Sequence, residues 1–292
     1  MKVLLPLDGS EHAEMVFQCA RELIGTMSLE LILLYVGSSK EDELVIREHK
    51  AYIEKEVNKL DQEAKEIAQR YGSDRKISEI SVRGEVIRGY PAEEIIRYAD
   101  SENVDLILMA SHGRSGLKRW RMGSVADKVL RASDLPVWLV RADLSEETAR
   151  DELSGRHLVV PLDGSKLAES VLPYIKIAAI HRGSDIISIT LLMVCEPPLI
   201  TFSYSGPGIP VDPKEVERRE LEYCLKNAEK YLDSVKYRLA KSGVSVERKV
   251  LVGNPTTEII EYSKTNPANL IVIATHGHTG IRKMAYGSFG SV

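Results

Sequence analysis

The chain is poor in the residues that metal sites, disulfide scaffolds and nucleic-acid binders are built from. Its three cysteines, Cys19, Cys195 and Cys224, form no C-x-x-C pair and no metal-spaced set. They read as buried or half-buried thiols, the usual state in a reducing compartment, so a cytoplasmic location is expected. Aromatic residues make up 6% of the chain, too few for the stacking platforms of single-strand binders. Excess positive charge is also missing. The formal net charge of −4 gives no electrostatic footprint for nucleic acid. No apolar run reaches bilayer-crossing length, and the opening Met-Lys-Val-Leu-Leu-Pro-Leu-Asp lacks a signal peptide's apolar core, so no membrane association is expected. Neither G-x-x-x-x-G-K-[ST] nor G-x-G-x-x-G occurs, which removes the P-loop and the dinucleotide fingerprint. No G-x-S-x-G elbow, triad or paired-carboxylate signature is visible. What is present is ordinary in bulk: 43% hydrophobic and 28% charged over 292 residues, enough for one or two domains with cores of their own.

Self-comparison decides between one domain and two. Val3-Leu-Leu-Pro6-Leu-Asp8-Gly9-Ser10 recurs as Val159-Val-Pro161-Leu-Asp163-Gly164-Ser165, at an offset of 155 between the aspartates. Gly89-Tyr-Pro91 recurs as Gly253-Asn-Pro255, and Ala110-Ser-His-Gly113 as Ala274-Thr-His-Gly277, both at an offset of 164. The extra residues of the second copy fall mostly in the Pro/Gly/Ser-rich stretch 197–213, which reads as a long loop. The expected organisation is a first domain at 1–142, a charged linker at 143–155 and a second domain at 156–292.

Within each copy, strands alternate with helices. In the first, strands are expected at 2–7, 29–36, 76–83, 104–109 and 136–140, and helices at 11–24, 41–71, 91–101 and 124–132. In the second, strands are expected at 157–162, 186–194, 245–252 and 269–274, and helices at 167–182, 214–242 and 256–265. Such alternation implies right-handed βαβ crossovers and an α/β fold. Each copy would be a Rossmann-like, mainly parallel sheet flanked by helices, five-stranded in the first copy. The second copy reaches only Val292, the counterpart of Lys128, so its sheet is expected to lack the last strand. Ligands in such sheets bind beyond the carboxyl ends of the strands, where strand order reverses.

Three features should meet there. Asp8 and Asp163 end the first strand of each copy, where a carboxylate can accept from a ribose hydroxyl or base amine. The same residues could equally close an Asx turn ahead of a helix. Val36 and Val194 end the second strand, where the backbone can read an adenine edge or the side chain can simply fill core. The third feature is a glycine loop running from a buried strand to a helix start, with nine residues between Gly113 and Gly123-Ser124 and nine between Gly277 and Gly287-Ser288. Glycine lets backbone N–H groups turn toward an anion, and a helix start adds unpaired donors. A structural turn with a serine cap at Ser124 and Ser288 is the plainer alternative. Arg114, Lys118, Arg119 and Arg121 in one loop and Arg282 and Lys283 in the other read as solvated surface or phosphate screening. His112, His276 and His278 have no evident third ligand, so no metal site is expected.

With these residues the chain resembles the universal stress protein family, as a tandem member carrying the family's Gly-x2-Gly-x9-Gly-Ser/Thr motif. In this sequence the motif stands as Ala110-x2-Gly113-x9-Gly123-Ser124 and Ala274-x2-Gly277-x9-Gly287-Ser288, with alanine in place of the first glycine both times. Copy two reads Gly-Ser-Phe-Gly where copy one reads Gly-Ser-Val-Ala. The resemblance implies ATP or AMP in each cleft, with Mg²⁺ or Mn²⁺ as a candidate bridge between phosphates. It implies Asp8 and Val36 at the adenine with Pro6 nearby, Ala110 at the ribose, and Gly113, Gly123, Ser124 and Val125 around the phosphates. In copy two the corresponding residues are Pro161, Asp163, Val194, Ala274, Gly277, Gly287, Ser288 and Phe289. It also implies dimerisation through the last strand. Because that strand has no counterpart in copy two, residues 136–140 are expected to pair between chains. The function implied is a nucleotide-binding stress-response or regulatory protein. A slow ATPase or nucleotidyl-transfer enzyme is the alternative, against which stands that no general base or in-line nucleophile can be named beside the phosphates. A non-binding dimeric scaffold is the third reading.

Overall fold

Val3, Leu4 and Leu5 are fully buried on both faces of a central strand, β1 (Lys2–Leu7), and the rest of the first unit is laid around it. The computed structural model describes residues 1–24, 28–71, 79–112, 122–140, 156–182, 187–198, 212–266, 268 and 270–274. The chain divides into two units, Met1–Glu152 and Leu153–Val292. The expected linker 143–155 lies outside the described residues.

In the first unit β1 is followed by α1 (Glu11–Glu14), α2 (Val16–Leu23), β2 (Leu29–Gly37), α3 (Glu43–Tyr71), β3 (Ile80–Arg88), α4 (Pro91–Ser101), β4 (Leu106–Ala110), α5 (Ser124–Ala132) and β5 (Val137–Val140). The five strands pair in parallel in the order β3-β2-β1-β4-β5. Side chains alternate across a strand, so one sequence feeds two cores. Val3, Leu5, Leu31 and Leu33 join Val16, Phe17, Ile53 and Leu60 of the helices on one face. Leu4, Ile32, Leu34 and Ile107 join Ile95, Ala99 and Val129 on the other.

Two expected elements change here. The helix expected over 11–24 is divided at Met15, which separates α1 from α2. The strand expected at 76–83 runs instead over 80–88, straight through Gly84. A Cβ at Gly84 would collide with Cγ2 of Ile53 and come within 2.9 Å of Cγ2 of Val57. Glycine at this point lets α3 lie directly on β3.

The end of the sheet remote from the strand carboxyl termini is held by a polar cluster. Arg83 donates from Nε to Glu30 at 2.8 Å, from Nη1 to the Tyr98 hydroxyl at 2.8 Å and from Nη2 to Glu102 at 2.7 Å. Lys2 Nζ donates to the Glu102 carbonyl at 2.7 Å. The Arg83 hydrogen bond holds the Glu30 carboxyl below its ordinary range; burial opposes the shift, and the charge of Lys2 adds to it. A folded-state pKa lowered in this way stabilises the fold above the ordinary glutamate range, and that stabilisation is lost as pH falls through the lowered value. Thermal melts of the parent and Arg83→Gln should therefore differ most near neutral pH, with the gap closing as pH falls below the ordinary glutamate range. A gap that stayed constant would mean the pair contributes nothing that titrates there.

The second unit repeats the plan with β6 (Arg156–Pro161), a 3-10 turn at Ala168–Val171, α6 (Leu172–Arg182), β7 (Ile187–Cys195), α7 (Pro213–Ala240), β8 (Glu247–Val252), α8 (Pro255–Thr265) and β9 (Leu270–Ile271). Its four strands pair in parallel in the order β8-β7-β6-β9, matching the first four of unit one. Among the described residues the sheet has one strand fewer than that of unit one, as expected. The helix expected at 167–182 opens as the 3-10 turn, and the strand expected at 269–274 is regular only over Leu270–Ile271. Among the described residues no helix is long and apolar enough to cross a membrane.

The cysteine reading needs correction. Cys195, at the end of β7, and Cys224, on α7, form a disulfide with Cα atoms 6.2 Å apart; Cys19 remains a thiol. Their separation of 29 residues resembles no short motif, because the pairing is made by a helix folding back onto a strand end.

Candidate functional site

Strand order reverses between β1 and β4: the chain leaves β1 toward β2 and β3, then returns to β1's other side. This is where a doubly wound sheet opens a crevice at its carboxyl edge. Strand register places the expected residues around it. β1 pairs with β2 up to Leu7↔Tyr35, so Asp8 and Val36 are the next residue on each strand. Ala110 closes β4 on the other side and is buried. In unit two Pro161 pairs with Leu192, and Asp163 and Val194 stand two residues further on. Pro6 and Pro161 are buried in the strands beneath; Val36 and Val194 are half-buried.

Both aspartates sit in the same turn. Asp8 Oδ1 accepts from the Ser10 N–H at 3.0 Å and from Ser10 Oγ at 2.6 Å, and Asp163 Oδ1 accepts from the Ser165 N–H at 2.9 Å. Ser10 and Ser165 in turn accept from the N–H groups of Ala13 and Ala168, at 3.2 and 3.0 Å. The glycine between aspartate and serine has φ of +79° in one copy and +85° in the other, a conformation that L side chains rarely adopt. The Asx turn is therefore formed in both copies. It fixes each carboxylate at the strand end.

The start of α5 is brought to the same place. The Ser111 N–H donates to the Val140 carbonyl at 2.8 Å, and the Gly123 N–H donates to the Ser111 carbonyl at 2.8 Å. Gly123, not Ser124, is the N-cap, and no side chain caps the helix. Ser124 and Val125 are its first helical residues, so their backbone donors face the crevice end without a serine cap over them. Such a start favours an anion. Gly113, Gly277, Gly287, Ser288 and Phe289 lie outside the described residues, as do His276, His278 and the basic residues of both loops. Ala274 is described and half-buried, three residues beyond β9. Among the described residues no three His, Cys, Asp or Glu side chains converge as a metal-binding set.

One repeated feature escaped the sequence reading. Tyr52 on α3 donates to Glu14 Oε1 at 2.9 Å. Burial pushes its hydroxyl up, and the Glu14 hydrogen bond and the charges of Glu14, Glu56 and Asp8 add to this. On α7, burial likewise pushes Tyr231 up, with Glu169 next and Asp163 also contributing. Arg238 pairs with Glu169 at 2.8 Å. Each long helix thus carries a neutral tyrosine behind the strand-end aspartate. The signal that could have exposed the pair was available: Glu14 and Glu169 stand at the same 155 offset as Asp8 and Asp163.

Fold and crevice together define a class: a tandem α/β protein whose parallel, doubly wound units each present a carboxylate, a strand-end peptide and small residues at the carboxyl edge. The chain belongs to the universal stress protein family, whose model matches residues 1–141 and 155–292. A universal stress protein of Methanocaldococcus jannaschii is 32% identical over 152 residues, covering 48% of this chain and 94% of that protein. Universal stress protein YxiE of Bacillus subtilis is 34% identical over 149 residues, covering 48% of this chain and 98% of its own length. Among solved structures, a universal stress protein from Archaeoglobus fulgidus aligns over 92% of this chain and 85% of its own, with a TM-score of 0.61 at 22% identity, a likeness of fold.

Proposed function

We propose that each unit binds an adenine nucleotide, ATP or AMP, at the carboxyl edge of its sheet, and that the protein is a nucleotide-dependent stress or regulatory factor of the cytoplasm. The observation that carries this reading is the convergence of Asp8, Val36, Ala110 and the glycine-capped start of α5 on one strand-order reversal. In this reading the Asp8 carboxylate, held by Ser10, accepts from a donor on the nucleoside. The peptide at Val36 reads the adenine edge, and the small Ala110 leaves room for the ribose. Gly123, Ser124 and Val125 present N–H groups to phosphate, with Gly113 supplying the loop. Pro161, Asp163, Val194 and Ala274 take the same parts in unit two, with Gly277, Gly287, Ser288 and Phe289 at the phosphates. A bound Mg²⁺ or Mn²⁺ would neutralise phosphate charge.

Calorimetric titration with ATP and with AMP, and identification of any nucleotide released when the purified protein is denatured, test the reading. Saturable heat with up to two sites per chain is expected. No heat and no thermal shift at millimolar nucleotide, with folded protein, would rule it out.

A homodimer is the second part of the reading. β5 is the edge strand of its sheet, and its Val137, Trp138 and Leu139 are only half-buried. An apolar edge of this kind invites a partner strand, which a second chain would supply through residues 136–140. A strictly monomeric mass by light scattering would count against it.

A further inference from the structure

The two units anchor their long helices to the sheet by different chemistry. On α7, Ala228, Leu232, Val235 and Leu239 are almost completely buried and form one helical stripe against the sheet. Cys224 is the next position of that stripe toward the N-terminus, and it is bonded to Cys195. Beyond it, no described residue of 213–223 is buried; Val216 and Leu221 are only half-buried. The ion pairs of this segment are internal: Glu215 with Arg218 and Arg219, and Arg218 with Glu222. Among the described residues, the ion pairs that tie α7 to other elements, Arg248 with Glu229 and Asp233 and Arg238 with Glu169, all lie on the far side of Cys224. An open cleft lined by Glu222, Leu225, Lys226, Glu229, Arg248 and Val250 lies between helix and strand at this turn.

Unit one solves the same problem without sulfur. Gly37 ends β2 as Cys195 ends β7. Both carbonyls accept from the glycine before the next helix, Gly89 at 2.9 Å and Gly253 at 3.1 Å. A Cβ at Gly37 would meet the Glu41 carboxylate at 2.5 Å and Cδ1 of Ile46, which is buried in the first turn of α3, at 3.2 Å. Where the first turn of α3 rests on the sheet through a buried isoleucine, α7 is held by a reducible bond.

We propose that Cys195–Cys224 is a redox-responsive site whose reduction by a dithiol of the thioredoxin type frees the segment 213–223 from the sheet. Cys195 is buried and Cys224 is half-exposed, so Cys224 is the sulfur open to attack. A thiolate of the dithiol attacks Cys224 Sγ, the Sγ–Sγ bond breaks, and Cys195 leaves as a thiolate that takes up a proton. The second thiol of the reductant, as thiolate, attacks its own partner sulfur in the mixed disulfide and expels the Cys224 thiolate, which is protonated. Two electrons pass to the protein, and the dithiol leaves as a disulfide.

The test uses the full chain, oxidised with glutathione disulfide, with half then treated with dithiothreitol or thioredoxin. Alkylation after denaturation should count one thiol, Cys19, before treatment and three after. Trypsin should cleave at Arg218 and Arg219 roughly tenfold faster or more in the reduced protein, given what a disulfide ordinarily contributes to local stability. Cleavage at Arg47 of α3 should not change. Cys224→Ser should cleave at the fast rate with or without dithiol, while Cys19→Ser keeps the response. Three alkylatable thiols in the oxidised sample, or equal cleavage rates in the two halves, would overturn the proposal. The wild-type comparison decides even where the serine variant folds poorly, and neither readout depends on nucleotide.

Discussion

Asp8→Asn is expected to keep the turn with Ser10 and to bind adenine nucleotide at the first unit roughly tenfold to a hundredfold more weakly, the loss expected when a hydrogen bond to a charged group, worth about 1.5–3 kcal/mol, is removed. The separation of folding from binding follows from the turn. Asp8 Oδ1 accepts two hydrogen bonds from Ser10, and an asparagine Oδ1 can accept both. The change falls on the other atom of the head group, where a carboxylate oxygen becomes an NH₂ donor that meets a nucleoside donor unfavourably. Asp8→Ala would lose turn and ligand contact together, so it is the less informative variant. Calorimetry on Asp8→Asn, on Asp163→Asn and on the double variant should remove the sites one at a time. If Asp8→Asn bound nucleotide as tightly as the parent, the aspartate would serve the turn alone.

The second large effect is expected at Gly84. A Cβ there meets side-chain methyls of Ile53 and Val57 on α3, neither of which lies at the end of a long flexible chain. Gly84→Ala should destabilise unit one by about 1–3 kcal/mol, the usual cost of overpacking a filled core. Urea unfolding would show a lower midpoint at an unchanged slope. Ile53→Ala in the same chain should recover part of the loss, because it removes the obstructing methyl; additive costs would show that the two positions do not share the contact.

The positions that proved legible in the sequence and those that did not differ for a physical reason. Asp8 and Asp163 could be placed because strand alternation and the repeat offset fix where a strand ends. The order of strands and helices followed from the same periodicities. Gly84 was misread as the end of a strand, since glycine weakens a strand locally and its benefit lies in a helix contacted across the core. Cys195 and Cys224 were misread because a bond between strand end and helix depends on the angle at which the helix docks, which no spacing encodes. Glu14 with Tyr52 and Glu169 with Tyr231 failed for the same cause on the tyrosine side. The shift from Ser124 to Gly123 as the cap of α5 is a single residue, yet it leaves the first N–H groups without a hydroxyl over them.

The pairing of β1 with β4 also has a consequence for how the chain is made. Val3 lies beside Leu106, so one edge of the central strand has no partner until that far residue has been synthesised. At ordinary translation speed the wait is roughly 5–20 s, long compared with the time a chain needs to collapse. Through that interval Asp8, at the carboxyl end of that strand, stands on one wall of a crevice whose other wall, Ala110 and the start of α5, does not yet exist. A ligand that needs both walls cannot hasten their meeting. It can only slow their parting once the second wall has arrived.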